Sequence, residues 1–484
     1  MPTTSDIVLA TANARYSHCA FGLKRLWCAL GPLQDAAQVM EFTLQQDAHE
    51  IVMTLLEAQP RIIGLGIYIW NVDLLTQVAG ILRAVAPEVL LVLGGPELVD
   101  SDESMGAVAA ADYVVIGEGE IAFAALAQQL LDGERPESKE IHAPSPDLDA
   151  LPDPYATYTE EDIRQRVIYV ESSRGCPYHC AFCLSALDKG VRHFPLEPFL
   201  ESMGALLERG ARRFKFADRT FNVNEARVLA ILDFFLRQPY PDIQLHFEIM
   251  PDRLSAAVLE KMAAFAPKGL HLELGIQSVS PETQERIKRN QNIAKSMECI
   301  QILRERTGAA LHADLIVGLP GDTRETISQG FDMLVNAGIQ EIQVGLLKRL
   351  KGTAIAGEMG VGLVFDTHPP YEVLQTPTLN YAEIQWFKRF ARYCNLYYNN
   401  GNFPTTLPLL WETADAPFAA FAALTDWVWE REHKTHQLPL VRLAEHLFDY
   451  LVKQECHAAS VIAQTIEADF RRLKGRRDKL PFLE

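Results

Sequence analysis

Three cysteines, Cys176, Cys180 and Cys183, stand at the spacing C-x-x-x-C-x-x-C within Glu171-Ser-Ser-Arg-Gly-Cys-Pro-Tyr-His-Cys-Ala-Phe-Cys183. Three thiolates on one short loop can hold three corners of a cubane iron–sulfur cluster, a group normally held by four cysteines. The missing ligand leaves one iron with an open position. A small molecule with its own donor atoms can bind there, which suits redox chemistry on a bound substrate better than electron storage. Zinc is the rival reading, because His179 lies among the cysteines and Cys3His is a structural zinc set. Such sites usually draw their ligands from two separated knuckles, however. Here His179 directly precedes Cys180, and no second C-x-x-C occurs in the chain. Phe182 packs beside a cluster or its ligand on the functional reading and is an apolar loop anchor on the bland one.

The elements that must position this loop form a βα series beginning at Arg166. Its strand candidates are Val167–Glu171, Arg213–Ala217, Gln244–Ile249, Gly269–Leu274, Leu311–Val317 and Glu341–Leu347, at a spacing suited to repeated βα units. Six such units form a partial or complete barrel, whose chemistry sits at the carboxyl ends of the strands. The cysteine loop falls immediately after the first strand. Asp218-Arg-Thr-Phe-Asn222, Glu248, Gly275-Ile-Gln-Ser278 and Gly318-Leu-Pro-Gly-Asp322 fall at or after the next four.

A first βα series precedes it. Asp6–Leu9, Gln38–Phe42, Ile62–Ile67, Val89–Leu93 and Tyr113–Ile116 read as strands of an open parallel sheet, separated by amphipathic segments such as Asp73–Ala86 and Ile121–Leu131. Ligands bind open sheets of this kind at the carboxyl ends of the strands. Those ends here carry Thr11-Ala-Asn-Ala-Arg-Tyr-Ser17, Tyr68-Ile-Trp-Asn71, Gly94-Gly-Pro-Glu97 and Gly117-Glu-Gly-Glu120. Any one of these is an ordinary βα turn; four on one edge suggest a ligand site. Prolines 136, 144, 146, 152 and 154 crowd the stretch between the two series, resist regular structure and mark a boundary. From about Thr367 the pattern becomes helical, at Tyr381–Tyr398, Ala416–Glu432, Pro439–Gln454 and Ala458–Lys474. The dense aromatics Trp386, Phe387, Phe390, Tyr393, Tyr397 and Tyr398 read as core at helical spacing. Asn399-Asn-Gly-Asn402 lines a cavity or lies on the surface. The expected organisation is α/β, with a Rossmann-like domain over 1–140, a proline-rich linker over 141–165, a (βα)6 partial barrel over 166–366 and a helical domain over 367–484.

Composition narrows the function classes. The chain of 484 residues carries a formal charge of −18, which disfavours a general nucleic-acid surface. Its basic cluster, Arg471 to Lys479, reads as a solvated helix end. No apolar run approaches the roughly 20 residues of a membrane span, and the N-terminus lacks a secretory pattern. The other cysteines, Cys19, Cys28, Cys299, Cys394 and Cys456, show no pairing pattern. A cytoplasmic protein with free thiols is expected.

The C-x-x-x-C-x-aromatic-C pattern after a first barrel strand resembles the signature of the radical S-adenosylmethionine (SAM) superfamily. Residues 1–140 resemble the cobalamin-binding domain that precedes the barrel in one large subgroup, and the last part looks like an uncharacterised domain found on some members. The resemblance implies a 4Fe–4S cluster held by Cys176, Cys180 and Cys183, with SAM chelated at the open iron. Reductive cleavage of SAM to a 5′-deoxyadenosyl radical would follow. It further implies Phe182 at the adenine, Glu273, Gln277 and Ser278 at the ribose or methionine part, Arg289 at the methionine carboxylate, and Gly318 and Pro320, within Val317-Gly-Leu-Pro320, along the adenine. The glycine-glycine-glutamate often found after the second strand is absent, which leaves Asp218 as the candidate for the SAM amino group. The implied cobalamin edge is Asn13, Tyr16 and Ser17, then Tyr68 and Asn71, then Gly94, Gly95 and Glu97, then Gly117, Glu118 and Gly119. It lacks Asp-x-His-x-x-Gly, the motif that supplies an axial histidine to cobalt in some cobalamin enzymes; His18 and His49 lack that context.

The leading reading is a cobalamin-dependent radical SAM enzyme that transfers a methyl group to an unactivated carbon of a small molecule; ring rearrangement and cyclisation also occur in the subgroup. A radical SAM enzyme with a non-cobalamin scaffold domain and a cobalamin- or redox-sensing iron–sulfur module are the alternatives. A tRNA methylthiolating enzyme normally carries a second cysteine triplet in its N-terminal domain, and this chain has only Cys19 and Cys28 there. The implied partners are a small-molecule substrate and an electron donor such as flavodoxin or ferredoxin, without membrane or nucleic acid, for a monomer or small oligomer.

Overall fold

The computed structural model describes residues 4–100, 103–188, 190–412, 414, 416–473 and 478–483. The chain divides into two compact units. One comprises Met1–Phe247, Arg349–Met359 and Asp366–Tyr371; the other comprises Glu248–Lys348, Gly360–Phe365 and Glu372–Glu484.

The first unit opens with six parallel strands: β1 (Ile7–Asn13), β2 (Ala37–Thr43), β3 (Ile62–Gly66), β4 (Leu90–Gly94), β5 (Tyr113–Ile116) and β6 (Glu140–His142), in the order β2-β1-β3-β4-β5-β6. The order reverses at β1/β3, the switch point at which doubly wound sheets bind ligands. Both faces of the sheet are buried, which is why its strands read as nearly continuous apolar runs. Val8, Ala10 and Ala12 pack against the helices Ala48–Glu57 and Val72–Val85, while Ile7 and Leu9 pack with Leu23, Phe123 and Leu126. Burying each such aliphatic side chain stabilises the fold by roughly 1.5–3 kcal/mol before conformational entropy is counted.

The proline-rich stretch is more ordered than its composition predicts. Glu140–His142 adds β6 to the sheet edge, paired with β5. Two 3-10 turns follow, then a helix at Glu160–Gln165. The helix starts there because Thr159 and Asp162 form a reciprocal capping box, a signal independent of the prolines before it.

The first unit also carries β7 (Ile168–Val170), the short antiparallel pair β8 (Ser173–Arg174) and β9 (Arg192–His193), and β10 (Arg213–Phe216), which is parallel to both β7 and β11 (Gln244–Ile249). The second unit takes up the chain within β11. It carries β12 (Leu270–Gln277), β13 (Ala310–Val317) and β14 (Glu341–Leu346), mutually parallel with β13 central, followed by the hairpin β15 (Val364–Phe365) and β16 (Val373–Gln375). Side chains alternate along β12: Leu270, Leu272, Leu274 and Ile276 are buried, whereas His271, Glu273, Gly275 and Gln277 lie on the half-buried face. Ser255, Ser280, Asn292 and Thr323 cap the helices that follow the strands.

The C-terminal residues form helices at Tyr381–Cys394, Leu407–Trp411, Pro417–Glu432, Leu440–Lys453 and Ala459–Arg472. Trp386, Phe387, Phe390, Tyr393 and Tyr397 are core residues, as their spacing predicts, and Tyr398 is half-buried. Asn399 holds a strand edge. Its amide accepts from Ile342 N at 2.9 Å and donates to Ile342 O at 3.0 Å, sealing the exposed edge of β14. Within the basic cluster, Arg471 and Arg472 end the last helix, where their charge complements the helix dipole; residues 474–477 lie outside the described residues.

Candidate functional site

The cysteine loop leaves the sheet through a short clamp. β8 and β9 pair Ser173 with His193 and Arg174 with Arg192, so the residues between them form one closed loop. Gly175 enters it at φ +84, and a Cβ there would stand 2.1 Å from the Gly190 carbonyl oxygen. Only glycine fits such a position. Cys176 and Cys180 are buried, Cys183 and Phe182 are half-buried, and none of the three is in a disulfide. Cys176 Sγ lies 3.4 Å from Thr220 Oγ1, in the loop after β10. His179 is exposed, which does not suit the Cys3His zinc reading. Among the described residues the three thiols are not gathered as tightly as ligands of one ion. A cubane presents separate irons at separate corners and needs them apart. Elsewhere burial pushes the thiols up, to about 12 at Cys19 and about 11 at Cys28 and Cys299, which leaves them inert.

Asp218, at the carboxyl end of β10, is turned toward the strand that carries this loop. It accepts from Ser172 N at 2.9 Å, Ser172 Oγ at 2.7 Å and Ser173 Oγ at 2.6 Å. Burial raises its pKa, partly offset by those bonds and by Arg227. It therefore fixes the root of the cysteine loop. Neither serine is singled out by the sequence, although both lie in the motif's own approach.

The first sheet's carboxyl edge splits into two groups. Tyr68, Gly94, Gly95, Gly117, Glu118 and Gly119 line one cavity of about 400 Å³, with Glu171, Arg174 and Arg219 on its other side. Gly95 is at φ +116, where a Cβ would stand 2.3 Å from Ile67 O, and Gly117 is at φ +103. Asn71 supports this edge from behind. Its amide donates to Thr11 Oγ1, Ala12 O and Gly66 O at 3.0–3.2 Å, and its Oδ1 accepts from Tyr68 N. The other residues turn elsewhere. Asn13 donates to Glu41, Tyr16 to Glu161, and Ser17 O accepts from Val167 N. Buried Glu97 lies 3.5 Å from Lys351. His18 meets the Tyr169 hydroxyl at 2.5 Å and His49 is exposed, so neither lines the cavity.

A cluster of charges joins this edge to the cysteine loop. Arg174, two residues before Cys176, reaches Glu118 and Glu120 at 2.5 Å each and Glu171 at 3.1 Å. Arg192 also pairs with Glu118, and Arg25 with Glu171 at 3.2 Å. The motif shows Arg174 in plain view, but its partners on the first sheet lie more than fifty residues away.

In the second unit Gln277, Ser278, Gly318 and Pro320 lie at the carboxyl ends of β12 and β13. Gln277 follows a register shift, sits at φ +67, and has a buried Oε1 without a hydrogen-bond partner. A strained residue with an unmatched acceptor is what a ligand-binding position looks like before its ligand arrives. Ser278 Oγ donates to Asp322 Oδ1 at 2.8 Å; Thr283 and Thr326 donate to the same oxygen at 3.0 Å. Gly318 is at φ +92, where a Cβ would stand 2.6 Å from Val373, and Pro320 is half-buried. Arg289 turns inward, donating to Gly275 O at 2.6 Å and Gln291 at 2.9 Å. Glu273 lies mid-strand on the half-buried face of β12. Asp322, which the sequence offered only as the end of a loop, organises this edge.

Comparison with known proteins defines the class. Residues 12–127 match the B12 binding domain, 170–334 the radical SAM superfamily, and 360–483 a protein family of unknown function, DUF4080. An uncharacterized methyltransferase of Pyrococcus horikoshii is 27% identical over 307 residues, covering 57% of this chain and 64% of that protein. The 2-(S-pantetheinyl)-carbapenam-3-carboxylate methyltransferase of Streptantibioticus cattleyicolor is 27% identical over 315 residues, covering 58% and 46%. The chain thus spans less than two thirds of either relative. Among solved structures, the radical SAM methyltransferase TsrM from Kitasatospora setae, with cobalamin and [4Fe-4S] cluster bound, aligns at TM-score 0.61 with 17% identity, over 96% of this chain and all of that one. The cobalamin-dependent SAM radical enzyme OxsB, with aqua-cobalamin bound, aligns at TM-score 0.67 with 13% identity, over 96% and 84%. At these identities the likeness is one of fold. The chain combines a B12 binding domain and a radical SAM domain with a C-terminal DUF4080 region. Its cofactor set is that of the class: a 4Fe–4S cluster, SAM and cobalamin. Among the described residues no helix is long and apolar enough to cross a membrane.

Proposed function

We propose that this chain is a cobalamin-dependent radical SAM methyltransferase that acts on an unactivated carbon of a small molecule. The observation that carries the reading is the clasp of Arg174 by Glu118 and Glu120, which ties the glycine-lined edge of the first sheet to the root of the cysteine loop. Such a tie is useful to an enzyme that works with two cofactors in concert. The two methyltransferases at 27% identity support methyl transfer as the reaction type.

On this reading Cys176, Cys180 and Cys183 hold the cluster, with Phe182 beside it. Gln277 and Ser278 receive SAM, with Gly318 and Pro320 along its adenine. Gln277 Oε1 offers the unmatched acceptor, and Asp322 fixes Ser278. Arg289 and Asp218, both committed to protein partners, act as positioning residues. The edge at Tyr68, Gly94, Gly95, Gly117, Glu118 and Gly119 holds cobalamin, and Asn71 keeps it in shape. The bound cofactors supply reductive SAM cleavage and a transferable methyl group. The chain orients them, keeps water away and receives an electron from an external donor. Residues 1–140, 166–366 and 367–484 would be the cobalamin, barrel and helical domains.

Anaerobic reconstitution, followed by incubation with SAM and reductant, tests this. Wild type should yield 5′-deoxyadenosine and retain one corrinoid per chain, and Cys180→Ala should yield none. Unchanged 5′-deoxyadenosine in Cys180→Ala overturns the radical reading. A chain that cleaves SAM but retains no corrinoid overturns the cobalamin part and leaves a scaffold.

A further inference from the structure

A second group of metal-ligating side chains lies toward the amino ends of β12, β13 and β14, away from Gln277 and Ser278. His271 is the second residue of β12, His312 the third of β13 and Glu341 the first of β14. The parallel register places Glu341 beside His312, and His271 one strand over. One ligand atom from each lies within 4.8 Å of the other two. The two imidazole rings meet edge to face, 5.9 Å between centroids. This spread is wider than a bound ion needs, so the side chains must close on the ion as it binds.

His312 makes the cluster more than a chance meeting. It is buried, and its Nε2 has no hydrogen-bond partner. Asp314 Oδ1 stands 3.3 Å from it, an ion-pair distance, but the two do not form an aligned hydrogen bond. A buried nitrogen in this state costs stability unless something meets it. The surroundings favour a positive guest: Glu341, Asp314 and Glu273 all act on His312.

We propose that His271, His312 and Glu341 form a site for a single divalent transition-metal ion, with zinc the best match. Two imidazoles and one carboxylate are a ligand set that zinc accepts, leaving a fourth position for water. Magnesium and calcium prefer all-oxygen sets and are disfavoured. The ion would pin β12, β13 and β14 at their amino ends. Six residues separate His271 from Gln277, about 20 Å of strand, so the ion is structural and takes no part at the SAM edge. The amino ends of barrel strands are where residues serve stability rather than chemistry.

The test uses the full chain with its 4Fe–4S cluster reconstituted, so that the loop cysteines are occupied. The protein is equilibrated anaerobically with zinc, desalted and analysed for metals. One zinc per chain beyond the cluster iron is expected, with a rise in the thermal midpoint. Glu341→Gln, which keeps the shape at a half-buried position, should weaken zinc binding about 10-fold or more, and His271→Ala/His312→Ala should abolish it, both with iron content unchanged. Cobalt(II) gives a second readout: d–d bands without a thiolate-to-cobalt charge-transfer band. No retained zinc in wild type, equal retention in Glu341→Gln, or a charge-transfer band that reports cysteine ligation would each overturn the proposal.

Discussion

Replacing Arg174 by methionine tests the tie between the first sheet and the cysteine loop. The guanidinium is about one-eighth exposed and meets three carboxylates. Two of those keep another base: Glu118 retains Arg192, and Glu171 retains Arg25. Glu120, 7% exposed at its side chain, loses its guanidinium. An uncompensated buried charge costs about 3–5 kcal/mol, more than the net worth of the pair that held it. Arg174→Met should therefore unfold at a lower urea concentration and retain less corrinoid and less iron. Arg174→Met/Glu120→Gln removes the orphaned charge and should recover most of the loss, to within about 1 kcal/mol, as a double-mutant cycle reads it. A chain of several domains does not unfold in two states, so the earliest transition is the one to compare. The reasoning fails if the single variant is as stable as wild type, or if the double variant is no better than the single.

Three further outcomes follow from the same geometry. Gly175→Ala should lose iron and sulfide per chain, because its methyl group would stand 2.1 Å from Gly190 O; Gly190→Ala, at φ +86 with open space around it, should bear only backbone strain of about 1 kcal/mol or slightly more. Gly95→Ala, blocked 2.3 Å from Ile67 O, should lower corrinoid retention about 10-fold or more while iron content stays unchanged. Burial raises the pKa of Asp322, partly offset by Ser278, Thr283 and Thr326. The folded state then holds a proton that the unfolded chain gives up above about pH 3.9, so stability falls as pH rises from there through the raised value and is level beyond it. Urea midpoints across that range should show this slope in wild type and lose it in Asp322→Asn; parallel curves would refute it.

Much of the fold is legible in the sequence because its signals are local. The first sheet's strands are apolar runs buried on both faces, and Tyr113–Ile116 and Gln244–Ile249 coincide with their expected bounds. The C-terminal helices carry their own periodicity, and Tyr381–Cys394 its own capping box at Asn380 and Glu383. β6 is hidden because three residues between Pro136 and Pro144 carry no pattern and gain their order from β5. The cysteine loop is legible because all its ligands lie within eight residues, so no tertiary contact is needed to bring them together.

What the sequence hides is held by long-range charge. Glu118, Glu120 and Glu171 face Arg25, Arg174 and Arg192, three acids against three bases from four separate stretches of chain. None has a sequence context that names its partner. Their burial is tolerable only because the set balances: any one charge, taken singly into this site, would cost more than its nearest pair returns. The same demand for partners acts on Asp218 and Arg289. The resemblance aims Arg289 at SAM, and the absent glycine-glycine-glutamate leaves Asp218 as a candidate; within the protein Ser172 and Ser173 meet Asp218, and Gly275 O meets Arg289. Gln277 differs from both: its side chain is neutral, and its buried Oε1 has no hydrogen-bond partner within the protein.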